Sequence, residues 1–208
     1  MARTTAPLRQ TWTALRALLV LTVVLGLGYP LVVLGVGQLL LPAQANGSLV
    51  VVDDRVVGSA LIGQSFSDAD GTPLPEWFQP RPSAAGDGYD GAASSGSNYG
   101  PENPDLIAAI EERRAAIAAF NGVDPADIPA DALTASASGL DPHISPAYAL
   151  LQVDRVAEAR GLSAAAVRAL VEQHTQGRDL GYLGESTVNV LELNVALAEA
   201  ASTGTGAD

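Results

Sequence analysis

The chain has 208 residues, 11 basic against 23 acidic, a formal net charge of −12 and no cysteine. Every basic residue is arginine, so a Walker A loop and a Schiff-base enzyme are excluded, because each needs a lysine. The lack of cysteine removes disulfide staples, cysteine zinc sites and thiol nucleophiles.

From the N-terminus, Arg3, Arg9 and Arg16 precede an uncharged run over residues 17–41, with no acid among them. At ~1.5 Å per residue such a run spans a hydrocarbon core of ~30 Å. Basic residues beside a spanning helix stay on the cytoplasmic side, and the first charges after the run are Asp53 and Asp54. We therefore expect a cytoplasmic tail over 1–16, a single transmembrane helix over 17–41 and an extracytoplasmic domain over 42–208. Ala43-Gln44-Ala45 also fits a signal-peptide cleavage site, but a signal h-region is only ~7–15 residues, shorter than this run. Either reading exports the C-terminal part.

Pro30 removes a backbone hydrogen bond from the apolar helix and predicts a kink. Gly26, Gly28, Gly35 and Gly37 leave room for another helix to approach, although no GxxxG pattern is present. Gln38, near the outer end, is read as reaching for the interface or bonding a partner helix. Beyond the run, eight arginines stand against 23 acidic residues, a net −15. That field repels nucleic acid and anionic headgroups and concentrates cations.

Leu49–Val52 and Val56-Val57 flank Asp53-Asp54-Arg55 and predict a hairpin, with its second strand broken at Gly58 and resuming at Ala60-Leu61-Ile62. Residues 67–103 are rich in Gly, Ser, Pro, Asn and Asp and predict a long irregular loop. Asn103-Pro104 opens a helix with Leu106, Ile107, Ile110, Ile117 and Phe120 on its apolar face, ended by Asn121-Gly122. Ser145-Pro146 opens another that stops at Gly161. Ser163 caps a third, with His174 expected on its exposed face. In the last element, Asn189 either caps a helix carrying Val190, Leu193 and Leu197 or belongs to a strand end over Val188–Val190. Residues 202–208 are expected to fray. The elements predict an α+β fold with a small antiparallel sheet and three to four helices.

Several motifs suggest chemistry. Gly86–Gly91 matches G-x-G-x-x-G, but it neither follows a strand nor opens a helix, and its two aspartates would repel a pyrophosphate. Asp68-Ala69-Asp70-Gly71 resembles part of a calcium loop whose first and last ligand positions fall on Phe66 and Trp77, which argues against it. Asn46-Gly47-Ser48 fits a glycosylation acceptor. The densest polar stretch, residues 134–146, offers Ser136 or Ser138 as nucleophile with His143 and Asp141 as base and orienter. They lie along one turn-rich loop, so side-chain bonds to the turn backbone are the preferred reading. Gln152 and Arg155 are neighbours on one helix with Arg160. This group is read as a solvated face pairing Arg155 with Glu158, or as a docking or phosphate-contacting face. Arg81-Pro82-Ser83 reads as a rigid turn presenting a guanidinium.

A family resemblance rests on these stretches in order: Tyr29-Pro30, Gln44–Leu49, Gly58–Gln64, Arg81–Ala84, Gly96-Ser97-Asn98, Thr134–Pro146, Gln152 with Arg155-Val156-Ala157 and Arg160, and Val188–Asn194. The chain resembles the C subunits of bacterial Kdp-type high-affinity potassium-transporting P-type ATPases. Ser95 and Ser186 depart from the glycine and proline expected there and loosen two turns. The resemblance implies a non-catalytic accessory subunit needed for assembly and activity. Its partners would be a channel-like potassium-binding subunit, the P-type ATPase subunit that uses ATP and magnesium, a small single-span subunit and the lipid bilayer. No cofactor is expected on this chain itself.

The resemblance also implies two mechanisms. In one, the exported domain docks near the potassium entrance; Pro30, Gln38, Arg81, Asn98, Asp141, His143, Asn189 and Asn194 are then candidate docking residues. In the other, the chain acts as a catalytic chaperone that raises ATP affinity, with Gln152 and Arg155 as candidate nucleotide contacts. A stand-alone hydrolase using residues 134–146 is the reading from a different class.

Overall fold

The computed structural model describes residues 6–204. Arg3 and residues 205–208 lie outside the described residues, while residues 202–204, expected to fray, continue the last helix. The chain divides into two compact units, the first ending at Ser48 and the second beginning at Leu49.

The first unit is helical. Helix α1 (Ala6–Val23) passes through one π-helical turn (Val24–Gly28) into α2 (Tyr29–Leu40). Together they hold a 33-residue stretch, Leu8–Leu40, that is long and apolar enough to cross a membrane. Arg9 and Arg16 lie within α1. The π turn is the physical answer to Pro30. Its ring would collide with the carbonyl four residues back in an α-helix. Here the turn before it widens, and the Tyr29 N–H bonds the Val24 carbonyl five residues back. At Leu41 the backbone leaves the helix, and α3 (Pro42–Ala45) adds one short turn. Gln38 is exposed near the end of α2. Its amide pairs reciprocally with that of Asn46, at 3.2 and 3.0 Å.

The second unit opens with the expected hairpin, β1 (Leu49–Val52) and β2 (Arg55–Ser59), antiparallel with Val51 opposite Val56. Asp53 and Asp54 both take positive φ, 48° and 60°, as a two-residue turn matched to strand twist demands. The second strand is not broken at Gly58 but runs through it. A Cβ there would sit 2.7 Å from Leu191 Cδ2, so the glycine lets the strand pass close to the core. Residues 67–103 form no helix or strand beyond an isolated bridge between Ser67 and Pro73. The loop is nonetheless built in, with Phe78 and Ala85 fully buried.

Helix α4 (Pro104–Asn121) starts where Asn103 accepts the Asp105 N–H, and it ends at left-handed Gly122. A 3-10 turn (Pro125–Asp127) and α5 (Ala130–Leu133) follow. Then come β3 (His143–Ile144), α6 (Pro146–Leu151), α7 (Val153–Arg160), α8 (Ala164–Gln173), β4 (Thr175–Gln176), β5 (Thr187–Asn189) and α9 (Val190–Gly204). The helix expected from Ser145 to Gly161 is therefore two helices that meet at Gln152. A second antiparallel sheet, in the order β3-β5-β4, joins the hairpin. Its strands, two or three residues long, are too short to leave a period-2 pattern. Both readings of Asn189 hold in part. It closes β5, and its side chain accepts the Glu192 N–H in the first turn of α9. His174 is half-buried at the end of α8, with Nδ1 2.9 Å from the Leu170 carbonyl, rather than on an exposed face.

The core gathers Phe78, Ile144, Tyr148, Val153, Val156, Val167, Val171, Val188, Leu193 and Leu197. Each large apolar side chain buried there contributes roughly 1.5–3 kcal/mol, enough to hold a domain that has no disulfide.

Candidate functional site

Gln152, Arg155, Arg160 and Asn194 converge on one stretch of the long loop, residues 75–79, which is buried at Phe78 and Gln79. An irregular segment buried beside helices must find partners for its backbone groups. Here side chains from α7, α9 and the α6–α7 junction supply them. Asn194 accepts the Phe78 N–H at 2.9 Å and donates to the Phe78 carbonyl at 3.0 Å. Gln152 does the same for the next residue, accepting the Gln79 N–H at 2.7 Å and donating to its carbonyl at 3.1 Å.

Arg155 donates to the carbonyls of Pro75 and Trp77, to Asn121 Oδ1 and to Gln152 Oε1. Its guanidinium lies 4.4 Å from the centre of the Phe120 ring. Burial pulls its pKa down to about 10, against the pull of Tyr148 and Glu76. Arg160 donates to the Glu76 carbonyl at 2.8 Å and stacks on Trp77 at 4.0 Å.

This corrects the expectation of a solvated or docking face on α7. Gln152 has no exposed surface, Asn194 has 1% and Arg155 has 9%. Gln152 and Arg155, the candidate nucleotide contacts, face inward, and a ligand would reach Gln152 only after residues 75–79 moved away. Asn189, a docking candidate, is also internal and ties the Ala60 carbonyl to α9 at 2.8 Å.

A second cluster lies at the surface. Arg81 Nη1 donates to Asp141 Oδ2 at 2.9 Å, and Nη2 reaches the Thr134 carbonyl at 3.3 Å. Asp141 Oδ1 accepts the His143 N–H at 3.0 Å, with His143 Nδ1 3.6 Å away. Burial pushes the Asp141 carboxyl up. The nearby His143 ring, the His143 backbone N–H and Arg81 outweigh it and hold the group below the usual carboxylate range. Tyr89 donates to the Arg81 carbonyl at 2.5 Å, and burial is the main cause that raises its phenol well above its ordinary value. Arg81, Asp141 and His143 are thus brought together; Asn98 is not. It sits at φ +53° in an exposed turn, bonding the Gly96 carbonyl.

The serines of residues 134–146 hold turns. Ser138 Oγ accepts the Leu140 N–H, and Ser145 caps α6 while donating to Asp131. Among the described residues no serine hydroxyl is hydrogen-bonded to His143, so the geometry of a nucleophile beside its base is missing. The stretch works as a seam: Ser83 Oγ, Ser94 Oγ and the Ser95 N–H all donate to carbonyls of Ser138 or Gly139. Beside the surface cluster runs an open groove of about 530 Å³, lined by Arg81, Tyr89, Arg113, Phe120 and Tyr148 among others.

Sequence reasoning missed Phe78 and Gln79, whose backbones the buried amides hold. The only local signal was Trp77-Phe78, an aromatic pair inside a Gly- and Pro-rich stretch. It also missed the exposed turn at Leu180–Leu183.

Residues 11–199 match the family described as K+-transporting ATPase, c chain. The chain is 62% identical over 194 residues to the potassium-transporting ATPase KdpC subunit of Kineococcus radiotolerans, covering 93% of this chain and 95% of that one. It is 55% identical over 191 residues to the protein so named in Mycobacterium tuberculosis, covering 91% and 97%. It is 56% identical over 194 residues to that of Gemmatimonas aurantiaca, covering 91% and 94%.

Proposed function

Because this chain belongs to the c-chain family of potassium-transporting ATPases, we propose that it is a non-catalytic accessory subunit of an ATP-driven potassium uptake pump. A single N-terminal helix holds it in the membrane, and its second unit lies outside the cell, docked near the potassium entrance. Its partners are the channel-like potassium-binding subunit, the P-type ATPase subunit that uses ATP and magnesium, and the small single-span subunit.

The observation that carries this reading is the engagement of the polar side chains. Gln152, Arg155, Asn189 and Asn194 hold the chain's own backbone, so they support a rigid docking body more than a reactive site. Two further features support it. The arginines precede the apolar helix and the acids follow it, which favours an outside second unit. Its net −15 suits a place over a cation entrance. The alternative, a chaperone raising ATP affinity through Gln152, would require that side chain to release Gln79 and Arg155 together, and it would need a cytoplasmic domain.

The test uses the natural absence of cysteine. Glu102→Cys on the exposed loop is treated with a membrane-impermeant maleimide in intact cells. Labelling is the expected result. A cysteine that reacts only after the membrane is opened would overturn the orientation and revive the nucleotide reading.

A further inference from the structure

The connection from β4 to β5 is built as a stiff, protruding finger. Asp179 and Leu183 exchange both backbone hydrogen bonds at 2.9 Å, the Gly181 N–H reaches the Arg178 carbonyl, and the Tyr182 N–H reaches Asp179. Arg178 and Glu185 close the base with a 2.9 Å ion pair. The tip is apolar and outside the core: Leu180 is 81% exposed, Tyr182 70% and Leu183 48%. Leu180 takes φ +52°, an unfavourable conformation for a residue with a Cβ. Its side chain gains nothing within this chain in return, and local strain without a local benefit points to a use elsewhere.

We propose that this finger is a docking element whose Leu180 and Tyr182 enter an apolar cleft on another subunit of the same membrane-bound pump. The inference rests on the accessory-subunit reading above. Three side chains cannot bury the ~1,200–2,000 Å² that holds two free proteins together. A chain anchored in the same membrane as its partner needs far less, because tethering raises the effective concentration. The tip's fixed backbone lowers the ordering cost of binding, and tyrosine is among the residues enriched at the anchor points of interfaces. Arg178 offsets Glu185 at the base of the finger, but the unit around it is strongly acidic, which disfavours anionic lipid as the occupant. A second copy of the chain would face the same like-charge repulsion.

The test places a photo-crosslinking benzophenone residue at Leu180 in the full chain, assembled with its pump in the membrane, and separately makes the Leu180→Asp/Tyr182→Asp variant. Support is an adduct with another pump subunit, together with a loss of about 10-fold or more in pump recovered with the double variant, the scale of one lost anchor. Neither side chain packs in the core, so the variant's melting temperature stays unchanged. An adduct only with lipid or a second copy overturns the proposal, as does undiminished recovery without an adduct. If the unsubstituted chain recovers no pump, the accessory-subunit reading has failed instead.

Discussion

Gln152 Oε1 accepts two hydrogen bonds at once, from the Gln79 amide and from Arg155, while its nitrogen holds the Gln79 carbonyl. Shortening it leaves three buried polar groups without partners, and each such group costs about 1–3 kcal/mol. Gln152→Ala is therefore expected to destabilise the protein by about 3 kcal/mol or more, read as a lower denaturant midpoint in detergent solution. The same variant separates roles. A structural clamp predicts a loss of assembled pump with ATP dependence unchanged per assembled complex. A nucleotide contact predicts a shift in the ATP concentration needed for half-maximal hydrolysis at normal assembly. The sequence placed Gln152 and Arg155 side by side on a helix. It could not tell which way they faced, because a period of 3.6 orders residues around an axis without saying what lies opposite.

At the scale of elements, two glycines separate tolerance from necessity. A Cβ at Gly58 would meet the ends of two flexible side chains, Gln64 Oε1 at 2.6 Å and Leu191 Cδ2 at 2.7 Å. A Cβ at Gly63 would meet the Asp141 carbonyl oxygen at 2.5 Å, next to the Leu140 carbonyl that the Gly63 N–H already bonds. Side chains can rotate away and backbone cannot. We expect Gly63→Ala to cost about 1–3 kcal/mol and Gly58→Ala less than half of that, measured as thermal midpoints of the two variants. The helix caps at Asn103, Ser145 and Ser163 and the hairpin turn were legible in the sequence, because each is a local hydrogen-bond problem with a local solution. Of the second sheet only the strand end at Val188-Asn189 was legible. His143–Ile144 and Thr175–Gln176 become strands only because Thr187–Asn189 comes to lie between them.

At the scale of the whole molecule, charge is the property that reaches furthest. The long loop carries Asp68, Asp70, Asp87 and Asp90, all exposed. Asparagine at each keeps the side-chain oxygens by which Asp68 and Asp90 cap their turns. If the domain stands over a cation entrance, replacing all four with asparagine raises the potassium needed for half-maximal ATPase activity by roughly two- to ten-fold at low ionic strength. The effect fades near ~0.15 M salt, where the Debye length falls to ~8 Å. No change at low salt would remove the charge argument for that position.

The sequence by itself determined the long apolar N-terminal helix, the acidic character of the rest, the absence of lysine and thiol chemistry, the capped helices and the family. These are carried by composition, local hydrogen bonding and motif order, which need no partner across space. Only the tertiary structure decided that Gln152, Arg155, Asn189 and Asn194 face inward, that the long loop is part of the core and that the serine stretch is a seam. Gln152, Arg155 and Asn194 depend on residues 75–79 arriving beside α7 and α9, Asn189 on the Ala60 carbonyl, and the seam on Ser83, Ser94 and Ser95. A buried irregular backbone takes its partners from wherever the fold brings them, and no local pattern in the chain announces which side chains those will be.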